Sequence, residues 1–448
     1  MSRHSTHMHV AIVGGGITGV ILALALEKRG VDYALYERAP AFTEIGAGIG
    51  FSPNAERALK VIDPQVYSVY KKVASTTDQE DYFTWVDGHE TNEIVARLLI
   101  GIDAFQGGRR SDFLEAWSKL IPSEKVSFGK DAASIFQQAS GKVLLSFKDG
   151  TSTEADVVIG CDGIHSRVRQ LILGEANPAS YPAYTHKYCF RALVPMDRAR
   201  EALGEARTVQ RFMYNGPDAH CIIYPVAMGK LLNVLLVISD PNPWRAGDNR
   251  HTARGDRQEA AAAYADWHPH VRAIVDLLPA QLDKWAIFDM FEHPAPYYNV
   301  GSVAVAGDAA HASGPHLGSG AGFGIEDALV LATVLEAADQ DQDQGLASSS
   351  RRGGKTGEPR SQAEACRRAL AAYNEMRFDR AQWLAGATRE AAALFQWQDE
   401  EVGSDHAKFQ SRIHRLFHTI WDNDIDEMVR DAIRVYTDMS TGKAQVNL

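Results

Sequence analysis

The stretch HVAIVGGGITGVILALALEKRGVDYALYE, from His9 to Glu37, decides the fold. His9–Val13 is short, apolar and stopped by glycine, as expected of a strand buried on both faces of a parallel sheet. Ile17–Arg29 is periodic as a helix, gathers its charge in Glu27, Lys28 and Arg29, and stops at Gly30. Tyr33–Glu37 reads as a second strand, so the whole has the length of a βαβ crossover. Gly14, Gly16 and Gly19 occupy the turn from strand to helix. Glycine there permits a tight turn and lets a pyrophosphate approach the backbone at the helix N-terminus. Glu37 closes the second strand, where a carboxylate can accept hydrogen bonds from a ribose diol. The unit predicts a dinucleotide site, and either NAD or FAD satisfies it.

Around this unit lie 448 residues, enough for two or three domains. Hydrophobic residues make up 45% and charged residues 23%, which excludes disordered, collagenous and disulfide-scaffold classes. Lys and Arg number 46 against 57 Asp and Glu, a net charge of −11 without basic blocks, so nucleic acid and anionic membranes are poor partners. Cys161, Cys189, Cys221 and Cys366 are far apart, which argues against a metal or disulfide framework and fits a reducing compartment. The uncharged run Val10–Leu26 is glycine-rich and short for a membrane span. The chain therefore reads as a soluble, cytoplasmic protein, monomer or homodimer.

Two more apolar strands are expected at Asp156–Gly160 and Gly301–Ala306, each running into a glycine or aspartate turn. Between them the texture changes to alternation of period two, at Tyr188–Val194, Val209–Tyr214, His220–Val226 and Leu231–Ser239, separated by Asn215-Gly-Pro217 and Met228-Gly-Lys230. That pattern predicts an antiparallel sheet. The expected class is α/β: a Rossmann-like FAD-binding domain (residues 1–180 and 285–338), an inserted antiparallel β-sheet substrate domain (181–284), and a C-terminal helical region (339–448). Asp339–Glu364 is expected to be a surface loop and Met1–Met8 frayed, with Trp383, Trp397 and Trp421 as helix-core anchors.

Two further motifs carry chemistry. Gly307-Asp308 ends a strand in a carboxylate able to hold a polyol, and Gly318, Gly320 and Gly322 lead into a helix around Ala321 and Ile325. A helix N-terminus there favours an anionic ring such as a reduced flavin, although such glycines also permit close helix packing. Together with the first turn, this favours FAD. The second motif is Cys161-Asp162-Gly163 followed by Arg167 and Arg169. Asp162 and Gly163 either bind a pyrophosphate-linked ribose or form a sharp turn, and the two arginines read as solvated helix charges.

These motifs, in this order, resemble those of the group A FAD-dependent aromatic hydroxylases, which share the p-hydroxybenzoate hydroxylase fold. The resemblance runs from Val10 to about Asp426. It is strongest to salicylate hydroxylases and to fungal dearomatising phenol hydroxylases of polyketide pathways, and it departs at Leu317-Gly-Ser319. It implies FAD as cofactor, NAD(P)H as co-substrate with NADPH the expected form, and O₂ adding at flavin C4a to give a hydroperoxide that an electron-rich phenolate attacks. It also implies that Arg110 contacts the flavin chain and that the segment Glu44–Gly50, including Gly48, lies beside a mobile isoalloxazine.

In the inserted sheet, Arg191 and Tyr224 can share one face. A sheet arginine either pairs with a carboxylate or reaches a ligand, and a sheet tyrosine either packs or donates. The dearomatising enzymes use an arginine and a tyrosine at matching positions to bind phenolate, whereas salicylate hydroxylases often have phenylalanine for the tyrosine. The resemblance therefore implies Arg191 and Tyr224 as catalytic residues. Phe105, His220, Pro315 and His316 are further pocket candidates, and His311 reads as structural; no metal site or catalytic triad is legible. The expected reaction is dearomatising hydroxylation of a resorcinol-type aryl aldehyde or ketone. The alternatives are decarboxylating hydroxylation of salicylate to catechol and a non-catalytic flavin-binding escort.

Overall fold

A computed structural model describes residues 8–42, 48–74, 80–102, 104–245, 251–349 and 361–441, with side chains from 342 to 349 excepted. The opening unit forms as read: strand His9–Val13, helix Ile17–Arg29 and strand Asp32–Glu37. Gly30 ends the helix in the left-handed conformation, with φ +72°, its N–H bonded to the last-turn carbonyls. Two glycines of the turn are dictated by contact. A Cβ on Gly19 would lie 2.0 Å from the Gly14 carbonyl oxygen, and one on Gly14, at φ +107°, 2.4 Å from the Cys161 carbonyl oxygen. The turn is thus pressed against the end of another strand.

That strand, Val157–Gly160, pairs in parallel with His9–Val13 in the register Val10 to Val157 and Val13 to Gly160. The sheet runs Asn299–Val300, Val303–Val305, Val157–Gly160, His9–Val13, Asp32–Glu37, Val126–Phe128, with only the first pair antiparallel. Three of its central strands, Val303–Val305, Val157–Gly160 and His9–Val13, are almost wholly apolar and buried, which explains why segments so distant in sequence coalesce. All three motif turns consequently emerge at the same carboxyl edge of one sheet.

The second sheet has eight strands, in the order Thr252–Asp256, Gln281–Asp289, Ala183–Pro195, Leu231–Ser239, Ala219–Val226, Arg211–Gly216, Asp81–Asp87, Ile94–Gly101. Its pairs are antiparallel except Arg211–Gly216 on Asp81–Asp87. The strands at 81–101 come from before the 183–289 segment, so early chain closes one side of this sheet. The strand expected at Val209–Tyr214 starts two residues later.

The segment Asp339–Glu364 corrects the loop expectation over most of the described part. Helix Gly320–Ser349 runs through Asp339, and helix Gln362–Phe395 begins just before Glu364. Its Asp and Gln residues are compatible with a helix once that helix is anchored. Asp339 accepts from the Met8 N–H at 2.8 Å, and Asp341 accepts from the Tyr436 hydroxyl at 2.8 Å. Residues 350–360 lie outside the described part, as do 1–7 of the expected frayed end; Met8 itself is buried. The C-terminal helices Gln362–Phe395, His406–Trp421 and Ile425–Ser440 each start at a side-chain cap, Ser361, Asp405 and Asp424. Trp421 is buried, whereas Trp383 and Trp397 are only half-buried.

Candidate active site

The three motif turns open on one cavity of about 820 Å³, whose far wall is the eight-stranded sheet. At the first turn, Glu37 accepts from the Gly15 N–H at 2.6 Å and the Ala39 N–H at 2.7 Å, which fixes its carboxylate at the strand end. Beyond their own chain neighbours, Gly16 and Gly163 have no atom of a described residue within 4 Å of where a Cβ would stand, so both present bare backbone to the cavity. Asp162 lines the cavity, but its carboxylate is engaged by the hydroxyl of Ser166 and by the N–H groups of Arg167 (2.6 Å) and Val168 (3.0 Å). With Ser166, the N-cap residue, it satisfies the first N–H groups of the helix Arg167–Leu173, and burial pushes its pKa up.

Arg169 corrects the reading of a solvated charge. It is fully buried and donates to the carbonyls of Ala179, Ala309 (3.1 Å), Ala310 (2.7 Å) and His293 (3.2 Å). It thus ties the middle turn to the short helix Asp308–His311. Loss of solvent pushes its pKa down to about 10.

Asp308 projects into the cavity near Gly320, whereas the neighbouring residues hold the turn in place. Asp327 accepts from the Gly307 N–H at 2.9 Å, His311 Nε2 at 2.6 Å and Arg377 Nε at 2.8 Å. Arg377 also pairs with Glu326 at 2.6 Å, and Arg380 bonds the same carboxylate through two nitrogens at 2.9 Å. Glu326, Asp327 and Arg377 are completely buried. Burial opposes ionisation of the two acids, but the paired cations override it, holding Glu326 down at about 2 and Asp327 lower still. Sequence reading missed this network because its members come from two helices some fifty residues apart.

Phe105, Pro315 and His316 line the cavity. Phe105 is held at φ +52°, an outlier for a bulky residue, and its carbonyl accepts from Arg211 Nη2 at 2.7 Å. His316 is buried, and lost solvent with the charges of Lys187 and Arg389 pushes its pKa down to about 3. His220 does not reach the cavity surface. It stands one layer behind, ring to ring with His316 at 5.3 Å and with Phe395 at 5.3 Å, and burial holds it well below the usual imidazole range. Of the segment expected beside a flavin ring, residues 44–47 lie outside the described part; Gly48 and Gly50 line the cavity.

On the sheet wall, Arg191, Ile222, Met213, Leu235, Tyr224, Asn233 and Arg211 face the cavity. Registers Arg191 to Leu235, Leu235 to Ile222 and Ile222 to Met213 make one row; Asn233 to Tyr224 begins the next. Arg191 is exposed, lies 5.8 Å from the Trp285 ring centre and has no ion-pair partner among the described residues. Tyr224 is half-buried, and its hydroxyl bonds no described residue. Burial raises its pKa while Arg191 and Arg211 oppose the rise. Arg211 and its ion-pair partner Asp81 were not foreseen, nor was Asn233. The Met228–Lys230 turn signal does imply Tyr224 opposite Asn233, so that neighbour was readable from the hairpin register.

The sequence profile of the FAD binding domain family matches residues 7–353. The chain belongs to the FAD-dependent aromatic hydroxylases. This hydroxylase is 47% identical to the FAD-dependent monooxygenase pigN of Monascus ruber, over 97% of this chain and 98% of that one. It is 38% identical to the salicylate hydroxylase asL1 of Sarocladium schorii, over 94% and 90%. A salicylate hydroxylase substrate complex superposes with a TM-score of 0.81 at 28% identity, covering 95% of this chain and 98% of that one. The protein is thus an FAD- and NAD(P)H-dependent monooxygenase of the type found in fungal secondary metabolism. Among the described residues no helix is long and apolar enough to cross a membrane.

The hydroxylase's cavity fits FAD. Bare backbone at Gly16 and Gly163, the fixed Glu37 carboxylate, the projecting Asp308 and the buried Ser313 hydroxyl, which has no partner among the described residues, are what a ribose, a pyrophosphate and a polyol chain require. Arg110, at the start of helix Arg110–Ser118, and Gly320 and Ala321, at the start of the long helix, line the same space. When bound, FAD supplies the redox and oxygen-activating chemistry.

Proposed function

We propose that this monooxygenase hydroxylates a resorcinol-type aryl aldehyde or ketone at a ring carbon beside an ionised hydroxyl, with loss of aromaticity where that carbon bears a methyl group. The observation that carries the reading is the pair Arg191 and Tyr224, facing the cavity that the three glycine turns open on. Arg191, without a carboxylate partner among the described residues, lowers the pKa of a phenol brought beside it by opposite-charge attraction. Tyr224 donates a second hydrogen bond to the same oxygen and so sets which carbon faces the oxidant. Phe105, Ile222 and Leu235 supply apolar walls that exclude water from the ring. In this reading Gly14, Gly16, Gly19, Glu37, Gly48, Arg110, Asp162, Gly163, Asp308, Gly320 and Ala321 hold FAD, Asp162 through its backbone and the helix whose first N–H groups it satisfies with Ser166. The protein works in the cytoplasm on a small molecule and O₂, as a monomer or homodimer.

The likeness to asL1 and to the salicylate hydroxylase complex favours a second reading, in which the attacked carbon bears a carboxylate and CO₂ leaves. Product mass separates the two. FAD-loaded protein with NADPH and O₂ is offered methylated resorcinol aldehydes and salicylate. Substrate plus one oxygen, with loss of aromatic absorbance, is the expected result; catechol from salicylate alone overturns it.

A further inference from the structure

One polar side chain of the sheet wall has no role so far. Asn233 stands opposite Tyr224 in register, and both tips converge beneath Gly48. A Cβ there would come within 2.8 Å of Tyr224 Oη and 3.3 Å of Asn233 Oδ1. On the other side of Tyr224, the polar group is already engaged: Arg211 is paired with Asp81 and donates to the Phe105 carbonyl. Asn233 differs. It is only 7% exposed, it lines the cavity, and its carboxamide makes no hydrogen bond with any described residue. Among the described residues nothing satisfies the carboxamide where it meets the cavity, and apart from Tyr224 the side chains beside it on this wall, Ile222 and Leu235, are apolar. Its free donors and acceptor therefore point to a partner that arrives with the ligand.

The geometry points to Asn233 as a specificity-determining residue that binds a second oxygen on the substrate ring. Tyr224 Oη and Asn233 Oδ1 both lie within 3.3 Å of the point where a Gly48 Cβ would stand, so two oxygens in 1,3 relation on one ring can reach both groups together. A carboxamide both donates and accepts, so it takes a second hydroxyl or a carbonyl in that position. The ligand is thus a 1,3-dioxygenated arene, one oxygen ionised beside Arg191 and Tyr224 and the other neutral on Asn233. This inference rests on the phenol-hydroxylating reading above and adds the feature that reads the second oxygen.

The test uses FAD-loaded protein and two probes, 2,4-dihydroxy-3-methylbenzaldehyde and 2-hydroxy-3-methylbenzaldehyde, titrated without NADPH while the flavin absorbance is followed. Asn233→Leu keeps the size and removes both hydrogen-bonding functions. It is expected to weaken the dihydroxy probe about tenfold, the loss of one well-made hydrogen bond, and to leave the monohydroxy probe within about twofold. Turnover should follow the same ratio in kcat/KM. Equal weakening of both probes, or of neither, overturns the inference. Should Asn233→Leu lose FAD, Asn233→Ser must show the same selective loss, and its failure to do so counts equally against the role. If the parent enzyme binds and hydroxylates neither probe, both the inference and the function it rests on fall; if it turns over both and the variants keep its discrimination, only the Asn233 role falls.

Discussion

Replacing Arg191 by methionine keeps an apolar stem against Trp285 and removes the guanidinium charge. Two unit charges 4 Å apart attract by about 1 kcal/mol in water and about 4 kcal/mol at an effective dielectric constant of 20. Arg191 is exposed at the cavity edge, so its effect on a bound phenolate falls between these limits, near 2 kcal/mol. That corresponds to a rise of about 1.5 units in the pKa of the bound phenol. At pH well below the parent's bound-phenol pKa, the ionised fraction and the hydroxylation rate should fall about thirtyfold. The assay is kcat/KM of Arg191→Met against pH, on protein matched to the parent in FAD content. The deficit should be largest at low pH and shrink as rising pH ionises the phenol without help. A deficit of the same size at every pH would mean that Arg191 acts by shape alone. No deficit at all would remove it from the site.

Tyr224→Phe keeps the ring and loses one hydrogen bond, at a cost of about 1–3 kcal/mol if the phenolate is its partner; kcat/KM should fall and the ratio of regioisomeric products shift, read by chromatography. Arg377→Met leaves Glu326 and Asp327 ionised and buried without their shared cation, which should destabilise the fold by about 3–5 kcal/mol in urea unfolding and loosen FAD. Stability should also fall on acidification. His316 is neutral in the folded protein down to about pH 3, whereas the unfolded chain takes up its proton near pH 6.5. The unfolded state then binds more protons, so folding loses about 1.4 kcal/mol per pH unit across that window, and His316→Phe should flatten the slope. Glu326 and Asp327 have depressed values, so their contribution is full above the ordinary carboxylate pKa and is lost as pH falls toward 2.

The parts of this fold that were legible share one property: local sequence and final environment agree. His9–Val13, Ile17–Arg29 and Leu231–Ser239 are found where periodicity places them because apolar pattern and burial coincide. Arg169 was read as solvated and the Glu326–Arg377 network was missed because a charge on a helix is silent about whether the opposing surface supplies carbonyls or counter-charges. Asp81–Asp87, with Ile94–Gly101 paired to it, was missed as part of the second sheet because its pairing with Arg211–Gly216 crosses more than a hundred residues. At the site, Arg191 and Tyr224 were reachable from alternation on two strands that flank Leu231–Ser239. Arg211 and Asn233 needed the register that sets them on the same face.

The claim on which the account turns is that the sheet wall ionises its aromatic guest. Titrating FAD-loaded protein with a resorcinol aldehyde in the absence of oxygen, at a pH one unit below the free phenol's pKa, reads this directly from the ligand's own absorbance. The account predicts the phenolate spectrum on binding to the parent and the neutral spectrum on binding to Arg191→Met. A neutral phenol in the parent, or identical spectra in the two proteins, would contradict it.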